Sequence, residues 1–227
     1  MRRHLLNRSL FGVPFVIDAA TADLAGEVES LLPPGHVPAT GGAVFPIDTE
    51  GEIAALDAAL RKHIATHAPD HVFVHAGVVA HRGAAIVLPA ATHAGKSELV
   101  AALVRAGAAY CSDEYAVIDR EGCVHPYARP MTLRGRDGSA PARVRAPGHR
   151  EPLPVGLIVA TTFVPGARWA PAERTAAEGA LLLLAHAGQG RAEPARVLDA
   201  LHRAAAGARV LEGPRGEADE VARALLG

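Results

Sequence analysis

The sequence of 227 residues has few cysteines, almost no net charge and no long apolar run, and each lack narrows its function. Its two cysteines, Cys111 and Cys123, form neither a metal-binding spacing nor a disulfide framework, which predicts reduced, mostly structural thiols. A formal net charge of −1 excludes a global basic field for nucleic acid or for a membrane surface. Each apolar run is shorter than the roughly 18 residues that span a bilayer. We therefore expect a cytoplasmic protein whose partners include neither nucleic acid nor a membrane.

Residues 1–70 are divided by turn-forming residues into short segments. The run LFGVPFVID is interrupted by Gly12 and Pro14, which favours a strand over a signal peptide. The apolar pieces FVID, EVESLL and AVFPID are separated by Pro-Pro-Gly and Gly-Gly, which predicts short strands and hairpins. Residues 51–68 repeat Ile and Leu at three- and four-residue spacing and predict an amphipathic helix. We predict a β-rich and helical N-terminal portion, residues 1–70, packed on a core of residues 71–227.

The core sequence alternates strand and helix patterns. Strands are predicted at VFVHAGVVA, AAIVLP and AYCSDEYAVID, with the helix SELVAALVRAGA before the last of them. The uninterrupted apolar run AAIVL is typical of a strand that is covered on both faces. Further along, PVGLIVATTFV predicts a strand, PAERTAAEGALLLLAHA a helix, and residues 194–206 and 216–226 two more helices around a short strand ARVLEG. This order predicts an α/β fold.

Residues 87–98, VLPAATHAGKSE, join the second of these strands to its helix and end like a phosphate-binding loop. Backbone N–H groups at a helix N-terminus attract phosphate, the Lys of such a loop neutralises phosphate oxygens, and the Ser hydroxyl joins the Mg²⁺ shell. For His93, an exposed loop position and a phosphate contact both remain open. We predict ATP binding by eight residues: Ala91, Thr92, His93, Ala94, Gly95, Lys96, Ser97 and Glu98.

Ala90 stands where a phosphate-binding loop usually begins with glycine. That glycine relaxes the turn out of the strand. Alanine is free of strain at this position only if its φ stays below zero. The sequence therefore predicts a loop that is altered at the turn out of the strand but keeps the residues that bind the charged phosphates.

Two adjacent acids, Asp113 and Glu114, follow the helix of the loop at the start of the next predicted strand. Carboxylates at a strand end hold Mg²⁺ or accept a proton from a hydroxyl group. A solvated strand end is the structural alternative. We predict that both acids belong to the site of the loop.

The segment YARPMTLRGRDGSAPARVRAPGHREP is rich in arginine and is predicted to be largely loop. An arginine beside a transferring phosphoryl group stabilises its charge, which makes Arg129 and Arg134 candidates for that role. Ordinary surface arginines are the alternative for both residues.

The stretch from His75 to Asp119 resembles the HPr kinase/phosphorylase family, bacterial serine kinases with a P-loop fold akin to phosphoenolpyruvate carboxykinase. The likeness rests on VHAGVV, GKSELVAALVRAG and SDEYAVI in that order. A looser likeness to stand-alone relatives, including kinases of peptide-tailoring gene clusters, extends to GCVHPYARPMTLR and the C-terminal helices. The resemblance implies a P-loop kinase core with a mixed twisted sheet flanked by helices, and ATP and Mg²⁺ as cofactors. Because the family forms oligomers, a homo-oligomer remains open.

The resemblance also implies a role for each matched residue. Lys96 and Ser97 would hold the phosphates and Mg²⁺. Asp113 would be the general base on the acceptor hydroxyl and lie at the metal. Glu114 stands where the family has a second Asp and would help to hold the metal. His75 would tune the acids as a third catalytic residue with Asp113 and Lys96, or would be a structural histidine at a strand end.

Two departures from the family limit what the resemblance implies. Ala90 replaces a glycine, and the later glycine-rich signature is not recognisable after residue 120. We therefore expect an ATP-dependent kinase that acts on a hydroxyl acceptor, either a serine of a peptide or small protein or a small molecule. The two departures weigh against phosphorylase activity and against HPr as the substrate. A non-catalytic nucleotide-binding accessory or regulatory module is the alternative, and an unrelated fold with a chance motif is the third.

Overall fold

The computed structural model divides into two compact units, unit 1 (Met1–His71) and unit 2 (Val72–Gly227). None of the helices in the described part of the chain combines the length and apolar character needed to cross a membrane. The structure describes residues 3–90, 95–133, 142–144, 148–188 and 193–227.

Unit 1 contains a four-stranded sheet with the strand order β3-β1-β2-β4 and two helices. Its elements are β1 (His4–Leu10), β2 (Val13–Ala19), α1 (Ala22–Leu31), β3 (Val37–Pro38), β4 (Ala43–Ile47) and α2 (Ile53–His67). The β1–β2 hairpin turns at Phe11 and Gly12. Both residues have positive φ, which the type I′ two-residue hairpin loop requires.

The prediction of a strand at EVESLL is wrong, because residues 27–31 belong to α1 and Leu32 is its C-cap. Thr21 caps that helix by accepting a hydrogen bond from the Leu24 N–H, and Leu24, Val28 and Leu31 recur at helical spacing and are buried. The predicted helix over residues 51–68 is present as α2.

Unit 2 is an α/β structure built on an eight-stranded mixed sheet, and a separate two-stranded hairpin lies outside it. Its first elements are β5 (Val72–His81), β6 (Ala84–Pro89), α3 (Lys96–Arg105), β7 (Ala109–Ser112), β8 (Tyr115–Ile118), β9 (Val124–His125), β10 (Met131–Leu133) and β11 (Ala142–Val144). The remaining ones are β12 (Val155–Phe163), β13 (Ala172–Arg174), α4 (Ala176–Leu184), α5 (Pro194–Ala206), β14 (Arg209–Arg215) and α6 (Ala218–Leu226).

The order of the strands in the large sheet brings distant parts of the chain to one edge. The sheet runs β13-β14-β12-β6-β5-β8-β9, with β7 also paired to β5. The strands β6, β12 and β14 are mutually parallel, whereas β5 is antiparallel to β6. The carboxyl ends of β6, β12 and β14 therefore meet at the edge where α3 begins, and ligands bind at such an edge in open α/β sheets.

Helices cover both faces of the large sheet. Alternate strand residues face opposite ways: Val87 and Ile158 pack with α4 and α5, while Leu88 and Val159 pack with α3 and α6. The predicted fold class, α/β with a mixed sheet flanked by helices and a smaller β-rich N-terminal part, is confirmed.

Two boundaries in unit 2 differ from the sequence predictions. The helix predicted to open at Pro171 begins at Ala176, because Thr175 and Glu178 form a reciprocal capping box. The residues just before it form β13, which pairs with β14. The single strand predicted at AYCSDEYAVID is two strands, β7 and β8, which pair with different halves of β5.

Candidate functional site

The candidate phosphate loop runs from the carboxyl end of β6 to the N-terminus of α3. Gly95 ends it with φ of 76° and caps the helix, a left-handed conformation that favours glycine. The N–H groups of the first helical turn have no acceptor within the helix and carry its positive dipole end. Half-buried Ser97 and exposed Glu98 lie in this turn. Four predicted nucleotide-binding residues lie outside the described part of the chain: Ala91, Thr92, His93 and Ala94.

Ala90 is buried and adopts a backbone conformation that suits alanine. It is not among the non-glycine residues with positive φ, which in the described chain are Phe11 and Arg82. Its carbonyl accepts a hydrogen bond from Lys96, and its N–H lies 3.5 Å from the His75 carbonyl oxygen. The missing first glycine therefore leaves no left-handed strain at this joint.

We expect Ala90→Gly to leave affinity for ATP within about threefold of the wild type, because glycine relieves no strain here and only adds backbone freedom. Isothermal titration calorimetry measures this directly. A tenfold gain would mean that the alanine obstructs the bound loop, and a tenfold loss would mean that its methyl group packs the loop.

Lys96 is 9% exposed, and its ammonium group is turned into the site. Its Nζ donates to the Ala90 carbonyl at 3.1 Å and lies 3.3 Å from Nε2 of His75. Burial lowers the pKa of Lys96 below its usual 10.5, and the negative charges of Glu114 and Asp113 oppose that shift. The two carboxylates and the lysine thus act on one another electrostatically.

The hydrogen bonds of His75 fix its tautomer. Its Nδ1 lies 2.8 Å from the Glu114 carbonyl oxygen, and a carbonyl only accepts, so we assign the ring proton to Nδ1. In the neutral ring Nε2 is then an acceptor and receives a hydrogen bond from Lys96. His75 therefore connects the loop lysine to the backbone of the acid pair.

The two acids lie in the break between β7 and β8. Across that break the pairing with β5 jumps from Ser112 opposite Val78 to Tyr115 opposite His75. The buried Ser112 Oγ accepts hydrogen bonds from the N–H groups of Glu114 and Tyr115, which holds the bend. Because the backbone leaves the sheet here, side chains of adjacent residues need not point to opposite faces.

Asp113 is held by a buried tyrosine that the sequence analysis did not single out. The Tyr110 hydroxyl donates to Asp113 Oδ1 at 2.8 Å. Burial and the charge of Asp113 raise the pKa of Tyr110, so its hydroxyl stays protonated and can donate. The positive charge of the half-buried Arg129 lowers the pKa of Tyr110, which places this predicted arginine in the neighbourhood of Tyr110. Arg134 lies outside the described residues.

Two more residues at this edge escaped the sequence analysis. The His75 N–H donates to the His186 carbonyl at 2.8 Å. Burial lowers the pKa of His186, and its neighbours His75 and Lys96 lower it further. Arg215, at the carboxyl end of β14, reaches the carbonyl of Gly95. No local motif marked either residue. The order of the strands brings Arg215 here, whereas His186 lies just after α4, where the next residue pairs with β5.

Within the described residues, the polar or charged side chains that the fold buries are Lys96, Ser112 and Arg215. Each serves this edge of the sheet: Lys96 extends from the loop, Ser112 holds the bend of the acids, and Arg215 contacts Gly95. Burying polar groups costs free energy unless they are paired, so such a concentration is typical of a functional site.

Comparisons with known proteins give a limited result. No protein-family model matches this sequence, and no curated protein matches it significantly. Among solved structures, the chain is similar to the HPr(Ser) kinase/phosphatase from Coxiella burnetii, with a TM-score of 0.36 and 17% sequence identity. The match covers 68% of this chain and 96% of that chain. At this level the likeness says nothing about activity.

The lowered pKa of Lys96 predicts a pH dependence of nucleotide binding. Binding needs the ammonium form, so affinity for ATP should fall as the pH rises through a value below 10.5, the usual pKa of lysine. The free energy of unfolding should change in the opposite direction. Between the lowered pKa and 10.5, Lys96 holds more protons in the unfolded chain than in the folded chain, so its contribution to the free energy of unfolding increases as the pH rises. Titration calorimetry at several pH values tests the first effect. In the variant Lys96→Gln this fall in ATP affinity at high pH should be absent. A fall that persists in the variant belongs to the titration of another group.

Proposed function

We propose that this protein is an ATP-dependent phosphotransferase that moves the γ-phosphoryl group to a hydroxyl acceptor. The observation that carries the proposal is the network joining the loop and the acids, in which Lys96 donates to His75 and His75 is bonded to the backbone of Glu114. A lysine in the first turn of α3, beside two carboxylates, matches the parts that phosphoryl transfer requires.

The described residues at the end of the loop suit a triphosphate. The N–H groups at the start of α3 would donate to phosphate oxygens, and the Lys96 ammonium would neutralise their charge. The Lys96 ammonium donates to the Ala90 carbonyl and to His75, and phosphate oxygens would compete with these two acceptors for its N–H groups. Binding of a triphosphate would also raise the pKa of Lys96, against the effect of its burial.

The donors for Mg²⁺ would be the Ser97 hydroxyl and the carboxylates of Glu114 and Asp113. In the described part of the chain, no group of three or more His, Cys, Asp or Glu side chains is arranged to hold a metal ion by itself. That fits Mg²⁺ in nucleotide sites, where one or two carboxylates act together with substrate phosphates and water. The ion would neutralise charge on the phosphates.

Asp113 is the proposed general base. As the acceptor oxygen forms a bond to the γ-phosphorus, the bond from that phosphorus to the β–γ bridging oxygen breaks, ADP leaves with the electron pair, and the hydroxyl proton passes to Asp113. Tyr110 donates to Oδ1, so Oδ2 is the oxygen that would take the proton. The acceptor in this proposal is a serine of a peptide or small protein, or a small-molecule alcohol.

One observation favours a second candidate, a nucleotide-binding module that transfers nothing. The Tyr110 hydroxyl occupies Oδ1 of Asp113, so the protein itself already holds one of the two carboxylate oxygens that a general base would use. In such a module the acids would serve Mg²⁺ and nucleotide binding alone.

Two measurements test the proposed function. Calorimetry with ATP, with and without Mg²⁺, should show binding that AMP, which lacks the β- and γ-phosphates, does not match. Incubation with γ-labelled ATP and serine-containing peptides should then transfer the label. ATP binding without transfer or ADP formation across such a panel would favour the module, and no ATP binding would contradict both candidates.

A further inference from the structure

Arg215 is a buried cation far in sequence from the loop that it contacts. It is 1% exposed, at the end of β14, opposite Phe163 at the end of β12. Burial lowers its pKa, and the charges of Glu98 and Glu217 oppose this shift. A buried guanidinium is costly unless it is well paired, so its partners indicate why the fold keeps it.

Its hydrogen bonds join the last strand of the sheet to the first turn of α3. Nη2 donates to the Gly95 carbonyl at 3.0 Å, across 120 positions of sequence, and Nη1 donates to the Gly216 carbonyl at 3.0 Å. The guanidinium carbon lies 5.5 Å from the centre of the Phe163 ring, within cation–π range. The guanidinium plane thus contacts the Phe163 ring, and both of its terminal nitrogens donate to backbone carbonyls.

The Gly95 carbonyl has a second donor, since the Leu99 N–H bonds to it at 3.2 Å as the first hydrogen bond of α3. Arg215 therefore holds the peptide whose orientation sets the start of the helix. A Cβ added at Gly95 would lie 2.6 Å from Nη2, so the loop end and the guanidinium fit without room for a side chain.

We propose that Arg215 is a positioning residue of the phosphate loop: it fixes the Gly95 peptide so that the first-turn N–H groups of α3 face the bound phosphates. The phosphate in this statement rests on the proposed function. The positioning does not, because it concerns the backbone alone. Nε of Arg215 is buried and has no hydrogen-bond partner within the described residues, so Gly95 and Gly216 are the acceptors described for its guanidinium.

Hydrogen exchange tests the positioning without nucleotide. In Arg215→Gln the exchange rate of the Leu99 amide should rise about tenfold or more, because a charge-assisted bond to its acceptor is lost. Arg215→Lys keeps the charge but not the planar fork and should give an intermediate rise. The control is Arg209→Gln on the same strand, where the arginine forms an exposed ion pair with Glu173 and exchange at Leu99 should not change.

Nucleotide measurements separate positioning from a general structural role. Affinity for ATP should fall about tenfold in Arg215→Gln, with KM for ATP raised and kcat at saturating ATP kept within a few-fold. If that variant does not fold, Arg215→Lys decides. Unchanged exchange at Leu99, or a rise spread evenly over unit 2, would overturn the proposal. A wild type that binds no ATP, with the localised rise still present, would contradict the proposed function and leave the positioning role standing.

Discussion

Lys96→Ala is expected to reduce affinity for ATP by about 100-fold or more while the fold is retained, since hydrogen bonds to charged groups are worth about 1.5–3 kcal/mol each. The ammonium is the cation that α3 places at the loop, and it is buried against the Ala90 carbonyl and His75. The substitution also removes a buried charge, and burial disfavours the charged form of Lys96 and lowers its pKa. The stability of the fold should therefore not decrease. Calorimetry gives the affinity, and thermal unfolding gives the state of the fold.

The sequence provides a matched control for this experiment. Its two lysines are Lys62 and Lys96, and Lys62 is exposed on α2. Lys62→Ala should leave nucleotide affinity unchanged. Equal affinity in Lys96→Ala and the wild type would end the assignment of this segment as a phosphate-binding loop.

Asp113→Asn is expected to cut phosphoryl transfer by about 100-fold or more and to leave ATP affinity nearly intact, because a general base acts mainly in the chemical step. The amide oxygen can still accept from the Tyr110 hydroxyl, so the local structure should persist. Single-turnover transfer from γ-labelled ATP measures the rate, and calorimetry measures the affinity.

Two comparison variants sharpen this test. Glu121→Gln changes an exposed acid in the turn before β9 and should alter neither quantity. Glu114→Gln should weaken Mg²⁺-dependent binding as well as turnover, because a metal-holding acid also acts in the ground state. Undiminished transfer in Asp113→Asn would remove this residue as the base and shift the balance toward the binding module.

Local pattern was enough to predict most of the secondary structure of unit 2. The apolar run of β6 and the three- and four-residue spacing of α3 reflect burial, which acts on each segment by itself. Prediction failed where short-range capping decided the result. Thr21 caps α1, the helix that takes in most of EVESLL, which was predicted as a strand, and Thr175 delays the start of α4 by five residues from Pro171.

The sequence by itself determined the loop, with Lys96 and Ser97 at the first turn of a helix that follows a buried strand, because these residues are adjacent in the chain. It also determined that Asp113 and Glu114 are neighbours. Only the tertiary structure decided that the acid pair is connected to the loop lysine, since the β7–β8 break and its pairing with β5 place the Glu114 backbone beside His75. Only the tertiary structure brought in Arg215, because parallel pairing of β6, β12 and β14 places the end of β14 at the edge where Gly95 lies, 120 positions away in sequence.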